Sequence, residues 1–385
     1  MAIAHRGEIC YNGLAEMDRT GGISSVKTRD FAGRQAAVIA LGSSEFGGNC
    51  PAEKAFELMD AYVEIGGNFI DTARVYGDFA TPKNGESEKV IGRWMALRHN
   101  RDRIFLSTKG AHPPLSDMNR GRLSREDIRG DASASLDALG TDCVDVYWLH
   151  RDDVRRPVGD IMETMQSLID DGMARSVGVS NWRPARILEA NAYAAAHGLT
   201  PFCANQPQFS LARQQTVEDP TLVAMDAETY RMHRETNLIC VPFSSQAKGF
   251  FSKYAELGEE GLPDKAKRRF LCPENLAVYA RILEVREQTG LSVGAIALAY
   301  LTSQPFPTFP IAGASRVEHG KRRVYPELDR MHAQDARAHA VNRGDPCVID
   351  LQRLLGHAFR TQGALHARFD FSCGLFRERD GHDLL

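Results

Sequence analysis

Short apolar segments alternate with longer amphipathic segments between about residue 36 and residue 318 of the chain. The short segments are too brief for helices, and most are rich in β-branched or aromatic residues, which indicates β-strands. Several lack strict alternation of apolar and polar residues, as expected of strands buried on both faces of a parallel sheet. The predicted strands are residues 37–41, 68–72, 103–109, 144–149, 175–180, 201–206, 238–243 and 307–312.

The longer segments carry the marks of helices. Ser124-Arg-Glu-Asp127 is a variant capping box, in which a carboxylate three residues into the helix reaches back to the cap. Three other segments begin with proline and end at glycine, the residues that favour the first turn and the end of a helix. The predicted helices are residues 51–65, 124–139, 157–172, 184–198 and 273–290.

Strands that alternate with helices in this way form either an open doubly wound sheet or a (β/α)₈ barrel. No G-x-G-x-x-G motif follows the first strand, where the chain reads Leu41-Gly-Ser-Ser-Glu-Phe-Gly-Gly48. Residues suited to chemistry instead follow many different strands, as in a barrel whose site lies at one rim. They are Asp71, Lys109, His150, Ser180, Asn181, Gln206, Ser244 and Gly313. The predicted fold is therefore of the α/β class, a (β/α)₈ TIM barrel in a single domain.

Two regions lie outside this pattern. Residues 1–35 are polar with weak periodicity and are predicted to form an N-terminal arm or hairpin. The barrel then covers residues 36–320, and residues 321–385 form an atypical tail that is rich in Arg and His, with one helical stretch at 349–360. Residues 250–273 are predicted to be a long charged loop that folds over the site as a lid.

Composition narrows the classes of function. A chain of 385 residues with a net charge of −3 gives no reason to expect a nucleic-acid or membrane partner. It has neither the apolar core of a signal peptide nor a run of ~18 apolar residues, so the predicted location is cytoplasmic. The eight cysteines show no zinc-binding spacing, so no metal site is predicted, and Cys143, Cys203 and Cys240 are predicted to be core residues. Nothing in the sequence defines an oligomeric state.

Four residues form the candidate catalytic group, namely Asp71, Tyr76, Lys109 and His150. They come from three consecutive strand–helix connections, which converge on one rim of a barrel. A neighbouring ammonium makes a phenol a stronger acid, and a carboxylate keeps that ammonium charged and in place. The tyrosine can then protonate a carbonyl oxygen while hydride reaches the carbon, and a histidine can orient the same oxygen. Each residue taken singly has a structural explanation; four complementary types together favour catalysis.

The motifs around these residues resemble those of the aldo-keto reductases over about residues 36–319. The first is Gly66-Gly-Asn-Phe-Ile-Asp-Thr-Ala-Arg-Val-Tyr-Gly77, followed by Glu86-Ser-Glu-Lys-Val-Ile-Gly92. Ser107-Thr-Lys-Gly110, the stretch from Leu136 to His150, and Val177-Gly-Val-Ser-Asn181 are similar to further family blocks in the same order. The resemblance implies that Asp71, Tyr76, Lys109 and His150 are a catalytic tetrad with Tyr76 as the acid, which reduces a small-molecule carbonyl with a nicotinamide cofactor.

The resemblance also implies a cofactor site. Ser180, Asn181 and Gln206 match residues that bind the nicotinamide carboxamide, and Phe243 stands where the family stacks an aromatic ring on the nicotinamide. Ser244, Ser245, Gln246 and Lys248 match the pyrophosphate loop. Gly313, Ser315, Arg316 and His319 match the adenosine-phosphate clamp, where an arginine suits the 2′-phosphate of NADP(H), with NAD as the alternative.

The family pattern stops after Gly320. His319 replaces a family glutamine, and Arg322 and Arg323 replace a glutamate and an asparagine that grip the adenine. One hypothesis is that the tail reflects a shifted reading frame, which weakens cofactor binding; the other is that residues 349–360 supply a substitute helix.

Two alternative functions stay open on the sequence. Lys109 could form a Schiff base in a class I aldolase. Some relatives of this fold are instead regulatory subunits that bind the cofactor and sense redox state with little turnover. A metal-dependent barrel hydrolase is disfavoured, since strand one lacks the H-x-H pair.

Overall fold

The computed structural model describes residues 26–77 and 85–313, which contain a barrel of eight parallel strands. Each barrel strand pairs with the next one along the chain, and the last strand pairs with the first. Between β9 and the last strand, Cys240 N donates to Pro307 O and Phe309 N donates to Cys240 O, both at 2.8 Å, which closes the sheet. The predicted TIM barrel is thus confirmed. Its strands are β3 (Ala40–Gly42), β4 (Phe69–Asp71), β5 (Phe105–Gly110), β6 (Val144–Leu149), β7 (Ala174–Ser180), β8 (Ala204–Gln206), β9 (Ile239–Cys240) and β10 (Ile311–Ala312).

Helices surround this sheet, and their ends follow from local sequence. Ser124 Oγ accepts a hydrogen bond from Asp127 N at 3.1 Å at the start of α3, as the capping box predicts. Gly198 and Gly290 adopt left-handed backbone angles just after α5 and α9. The helices are α1 (Ala52–Glu64), α2 (Glu86–Arg98), α3 (Arg125–Leu139), α4 (Val158–Asp170), α5 (Pro184–His197), α6 (Ala227–Thr236), α7 (Phe250–Leu257), α8 (Asp264–Phe270), α9 (Pro273–Thr289) and α10 (Val293–Thr302).

An antiparallel hairpin, formed by β1 (Thr28–Phe31) and β2 (Arg34–Ala37), covers the N-terminal end of the barrel. Phe31 is buried, and its ring lies 5.7 Å from that of Phe69 and 5.0 Å from those of Phe105 and Phe309. Phe69 and Phe105 are the first residues of their strands, so these rings plug the end of the barrel opposite the C-terminal rim. Because the plug fills the N-terminal end of the barrel, an active site can form only at the C-terminal rim.

Several elements differ from the sequence prediction, which did not include the helices α2, α6 and α10. The first barrel strand is Ala40–Gly42 rather than 37–41, because residues 34–37 pair with the hairpin instead. Residues 250–273 are not a long loop but contain α7 and α8. Their apolar side chains, among them Phe250, Phe251 and Phe270, lie in a buried cluster with α9 and α10, and this packing outweighs the charged surface that suggested a loop.

Several predictions fall on residues outside the described ranges, including the tail at 321–385 and the helix at 349–360. Within the described ranges, no helix has the length and apolar character that crossing a membrane requires. Of the three cysteines predicted in the core, Cys240 is buried, whereas Cys143 and Cys203 are half-buried just before β6 and β8.

Candidate active site

The carboxylate of Asp71 lies at the end of β4, where it accepts three hydrogen bonds inside the barrel rim. Lys109 Nζ donates to Oδ2 at 2.5 Å, while Ser107 Oγ and Gln206 Nε2 donate to Oδ1 at 2.7 and 2.9 Å. Asp71 is only 1% exposed, so these donors replace the water that a buried carboxylate needs. The three donors come from β5 and β8, which fixes the carboxylate relative to the whole rim.

The ammonium of Lys109 is the centre of this cluster. Its side chain is 2% exposed, and Nζ also donates to Thr72 O at 2.7 Å. The same nitrogen lies 4.7 Å from the centroid of the Tyr76 ring. Burial alone would lower the pKa of Lys109, but the charge and hydrogen bonds of Asp71 and Tyr76 outweigh burial and raise it. The structure therefore holds a charged ammonium against a tyrosine.

His150 directly follows β6 and completes the group. Its ring lies 5.8 Å from that of Tyr76, at an interplanar angle of 78°. Burial, followed by the charges of His112, Arg151 and Lys109, holds the pKa of His150 well below 6.5. The imidazole is therefore neutral and can donate a hydrogen bond without carrying charge. The structure thus brings Asp71, Tyr76, Lys109 and His150 together at one point of the rim.

The predicted carboxamide site adjoins this group. Ser180 Oγ donates to Gln206 O at 3.0 Å, and Asn181 Nδ2 donates to Ser180 Oγ at 3.0 Å. Gln206 is fully buried, and its Oε1 has no hydrogen-bond partner among the described residues. An acceptor in that position is costly unless a donor reaches it, and a carboxamide N–H is such a donor. These residues fit the nicotinamide end of a dinucleotide.

The residues after β9 form a turn with unusual backbone angles. Ser244 and Lys248 have φ of +53° and +55°, and Ser245 Oγ donates to Ile311 O at 2.5 Å, which ties the turn to β10. Gln246 is half-buried and Lys248 is exposed, so their polar groups reach the surface of the rim. Phe243 is half-buried and precedes this turn, while Gly313 is exposed just after β10. Ser315, Arg316 and His319 lie outside the described residues.

Two buried residues beside His150 escaped the sequence reasoning. The ring of His112 lies 4.7 Å from that of His150, and Arg151 contacts Asp219 and Thr221 on the loop after β8. No sequence pattern indicated a role for His112, because it lies in a loop without periodicity. Arg151 could have been found from the sequence, since it directly follows His150. Among residues 26–77 and 85–313, no three His, Cys, Asp or Glu side chains are grouped as metal ligands.

Comparison with known proteins identifies the family to which this chain belongs. The model of the aldo/keto reductase family matches residues 38–324. Norsolorinic acid reductase stcV of Emericella nidulans is 30% identical, and the match covers 74% of this chain and 73% of that protein. Aryl-alcohol dehydrogenase GME11368 of Pestalotiopsis microspora is 29% identical over 75% of this chain and 72% of its own. Putative aryl-alcohol dehydrogenase AAD14 of Saccharomyces cerevisiae is 29% identical, and the match covers 76% of this chain and 79% of that protein.

The family match and these relatives together identify an oxidoreductase that acts on small molecules. The chain belongs to the aldo/keto reductase family.

Proposed function

We propose that the protein reduces the carbonyl group of a small aldehyde, ketone or sugar to an alcohol with NADPH, and that Tyr76 is the proton donor. The observation that carries this proposal is the ammonium of Lys109, which lies between the Asp71 carboxylate and the Tyr76 ring. Water is largely excluded from this ammonium, so its charge acts strongly on the neighbouring phenol.

Each residue of the catalytic group has its own role in the proposed reaction. The Tyr76 hydroxyl gives its proton to the carbonyl oxygen of the substrate, and Lys109 stabilises the phenolate that remains. The neutral imidazole of His150 orients the same oxygen. Asp71 keeps the ammonium charged and in place. When bound, the nicotinamide supplies the hydride that reduces the carbonyl carbon.

The cofactor would be held from the barrel mouth outward. Ser180, Asn181 and Gln206 would bind its carboxamide, and Phe243 would face its ring. Ser244, Ser245, Gln246 and Lys248 would bind the pyrophosphate through the turn after β9. We assign the adenosine phosphate to Gly313, Ser315, Arg316 and His319, and NADP is preferred over NAD because an arginine pairs well with a 2′-phosphate.

The names of the relatives bear on the substrate. Two of the three relatives named above are aryl-alcohol dehydrogenases. Aromatic aldehydes and their alcohols are therefore the first compounds to test on this chain.

The same geometry disfavours an aldolase that uses Lys109. A Schiff base forms from a neutral amine, whereas Lys109 is held as an ammonium by Asp71 at 2.5 Å. Borohydride should trap no substrate on Lys109. A regulatory subunit with little turnover is separated from a reductase by adding aldehydes to protein with bound NADPH, because only a reductase oxidises the cofactor.

The experiment is a panel of aromatic and aliphatic aldehydes, ketones and sugars, assayed with NADPH and NADH side by side. NADPH deuterated at the transferable position of C4 should place its label on the carbon of the product alcohol. Turnover with NADPH exceeding that with NADH supports the proposal. Bound NADPH that no member of the panel oxidises would refute the reductase in favour of the regulatory subunit.

A further inference from the structure

Ser87 is a fully buried serine in the first turn of α2, and nothing in the proposed mechanism uses it. Its hydroxyl does not cap its own helix, since Gly85 is the N-cap of α2 and no side chain caps that end. Ser87 Oγ instead lies 2.9 Å from each of Ser43 Oγ, Ser43 O and Thr72 Oγ1. The hydroxyl therefore contacts the residues that directly follow two barrel strands, β3 and β4.

The direction of these hydrogen bonds follows from the number of hydroxyl protons. Ser43, Thr72 and Ser87 are all fully buried, and each hydroxyl has one proton to donate. Ser43 Oγ donates its proton to Asp71 O at 2.9 Å, because a carbonyl oxygen can only accept. Ser87 therefore donates to Ser43, which leaves Thr72 Oγ1 as the donor to Ser87 Oγ. The result is a chain of three hydroxyls that starts at Thr72 and ends at Asp71 O.

The two ends of this chain are the residues that hold Lys109. Lys109 Nζ donates to Asp71 Oδ2 at 2.5 Å and to Thr72 O at 2.7 Å. Ser43 N also donates to Asp71 O, at 3.2 Å. The hydroxyl chain thus ties both acceptors of the ammonium to the first turn of α2.

Ser87 also contacts the backbone of Tyr76. Ser87 N donates to Tyr76 O at 3.2 Å, and Tyr76 N donates to Ala73 O at 3.0 Å within the same loop. One residue thus contacts Tyr76 through its amide and the residues that hold Lys109 through its hydroxyl. The distance of 4.7 Å between Lys109 Nζ and the centroid of the Tyr76 ring is therefore set by groups with a common anchor.

The next residue of α2 holds the same loop from its outer side. The Glu88 carboxylate accepts from Thr108 Oγ1 at 2.6 Å and from Arg74 Nη1 at 3.3 Å. Arg74 N in turn donates to Lys109 O at 2.9 Å. None of these contacts involves the hydroxyl of Ser87, so its removal should loosen the loop without detaching it.

We propose that Ser87 is a positioning residue of the catalytic group, whose amide and hydroxyl together set the placement of Tyr76 relative to Lys109. The proposal rests on the proposed function, since Ser87 would serve the same proton transfer. A small displacement of reacting groups slows a reaction strongly. Cofactor binding should change little, because the residues proposed to hold the cofactor lie on β7, on β8 and after β9.

The test compares two variants that each delete one buried hydroxyl. In Ser87→Ala, the single-turnover rate of carbonyl reduction should fall about tenfold, while NADPH affinity and the KM for the aldehyde stay near wild type. Ser176→Ala is the matched control. Ser176 Oγ donates to Asp145 O at 2.7 Å, and both residues lie in the N-terminal halves of their strands, away from the rim. This control should react at the wild-type rate.

A second variant breaks the same chain at its first hydroxyl. Thr72→Val removes the donor to Ser87 Oγ and preserves the shape of the side chain, so the single-turnover rate should also fall. The double variant with Ser87→Ala should be no slower than the slower single variant, because both changes interrupt one chain. Thr72→Val also tests the proposal if Ser87→Ala does not fold.

Hydrogen exchange gives a measurement that needs no turnover. In protein without cofactor, the amides of Arg74 and Tyr76 should exchange faster in Ser87→Ala than in wild type, and at the wild-type rate in Ser176→Ala. Unchanged exchange would overturn the proposal, as would a wild-type single-turnover rate in folded Ser87→Ala or losses that multiply in the double variant. A wild-type protein that reduces no carbonyl would instead contradict the proposed function, and the exchange measurement would still show whether Ser87 holds the loop.

Discussion

The side-chain amide of Asn181 donates a hydrogen bond to the carbonyl oxygen of His150 at 3.3 Å. The Oδ1 of the same residue accepts a hydrogen bond from Val223 N at 3.0 Å. One side chain thus connects the end of β7 with the end of β6 and with the loop after β8. It joins the proposed carboxamide site to the proposed proton-transfer site.

The backbone of Asn181 gives the first prediction. Its φ is +62°, a left-handed conformation that asparagine and glycine adopt at lower energetic cost than alanine. Asn181→Ala and Asn181→Gly lose the same hydrogen bonds, but only alanine adds backbone strain. The free energy of unfolding, measured in urea, should be about 1 kcal/mol lower for the alanine variant than for the glycine variant. Equal stability of the two would show that the backbone is not strained there.

The buried pair of Lys109 and Asp71 gives the second prediction. Lys109→Met leaves the Asp71 carboxylate buried without its cation, which should lower the free energy of unfolding by about 3–5 kcal/mol. Adding Asp71→Asn removes the uncompensated charge and should restore part of that stability. Both the single variant and the double variant should lack turnover, because neither has the ammonium beside Tyr76. Stability that fails to recover in the double variant would contradict the role assigned to the pair.

The sequence was sufficient to predict the barrel and the residues on its rim because strands buried on both faces have a distinctive pattern. All six residues of both β5 and β6 are buried, and neither strand alternates strictly between apolar and polar residues. Asp71, Lys109 and His150 could be placed because each one lies within the last two residues of a strand or directly follows it. Such positions are fixed by local sequence together with the parallel order of the sheet.

Residues whose roles depend on contacts between loops could not be predicted. The partners of Arg151 on the loop after β8 are about seventy residues away in sequence, and no periodicity links them. The helices at 250–257 and 264–270 were missed for a related reason. They are short, and their stability comes from packing against α9 and α10 rather than from intrinsic helix propensity.

The aromatic plug gives the third prediction. Phe31→Ala removes a ring that contacts Phe69, Phe105 and Phe309, so the free energy of unfolding should fall by about 3–5 kcal/mol. Phe31→Leu largely preserves the volume and should cost less than about 1.5 kcal/mol. Both variants should keep wild-type kcat/KM at temperatures where they are folded, because the plug lies at the end opposite the site. A loss of kcat/KM in folded Phe31→Leu would contradict that separation.

Acid sensitivity gives the fourth prediction. His233 is fully buried, donates from Nδ1 to Leu238 O and accepts from Asn205 Nδ2. Burial lowers its pKa from 6.5 to about 4. The neutral histidine therefore contributes stability that is complete above pH 6.5 and is lost as the pH falls from 6.5 towards 4, because the unfolded chain takes up the proton first.

His233→Asn keeps a donor for Leu238 O and lacks the titration. Between pH 6.5 and 4, the free energy of unfolding of wild type should fall more steeply with decreasing pH than that of this variant. The difference between the two slopes should be up to about 1.4 kcal/mol per pH unit. Above pH 7 the two should change in parallel. Parallel curves over the whole range would mean that His233 is not held neutral by burial.

The variant Tyr76→Phe tests most directly whether the Tyr76 phenol delivers the proton under the influence of the Lys109 ammonium. This change removes one oxygen and leaves the ring against Lys109. NADPH affinity, followed by the fluorescence of the bound cofactor, should match wild type, while the single-turnover rate of carbonyl reduction should fall by about 10²–10⁴-fold. A variant that binds NADPH and reduces the carbonyl at the wild-type rate would show that another group supplies the proton.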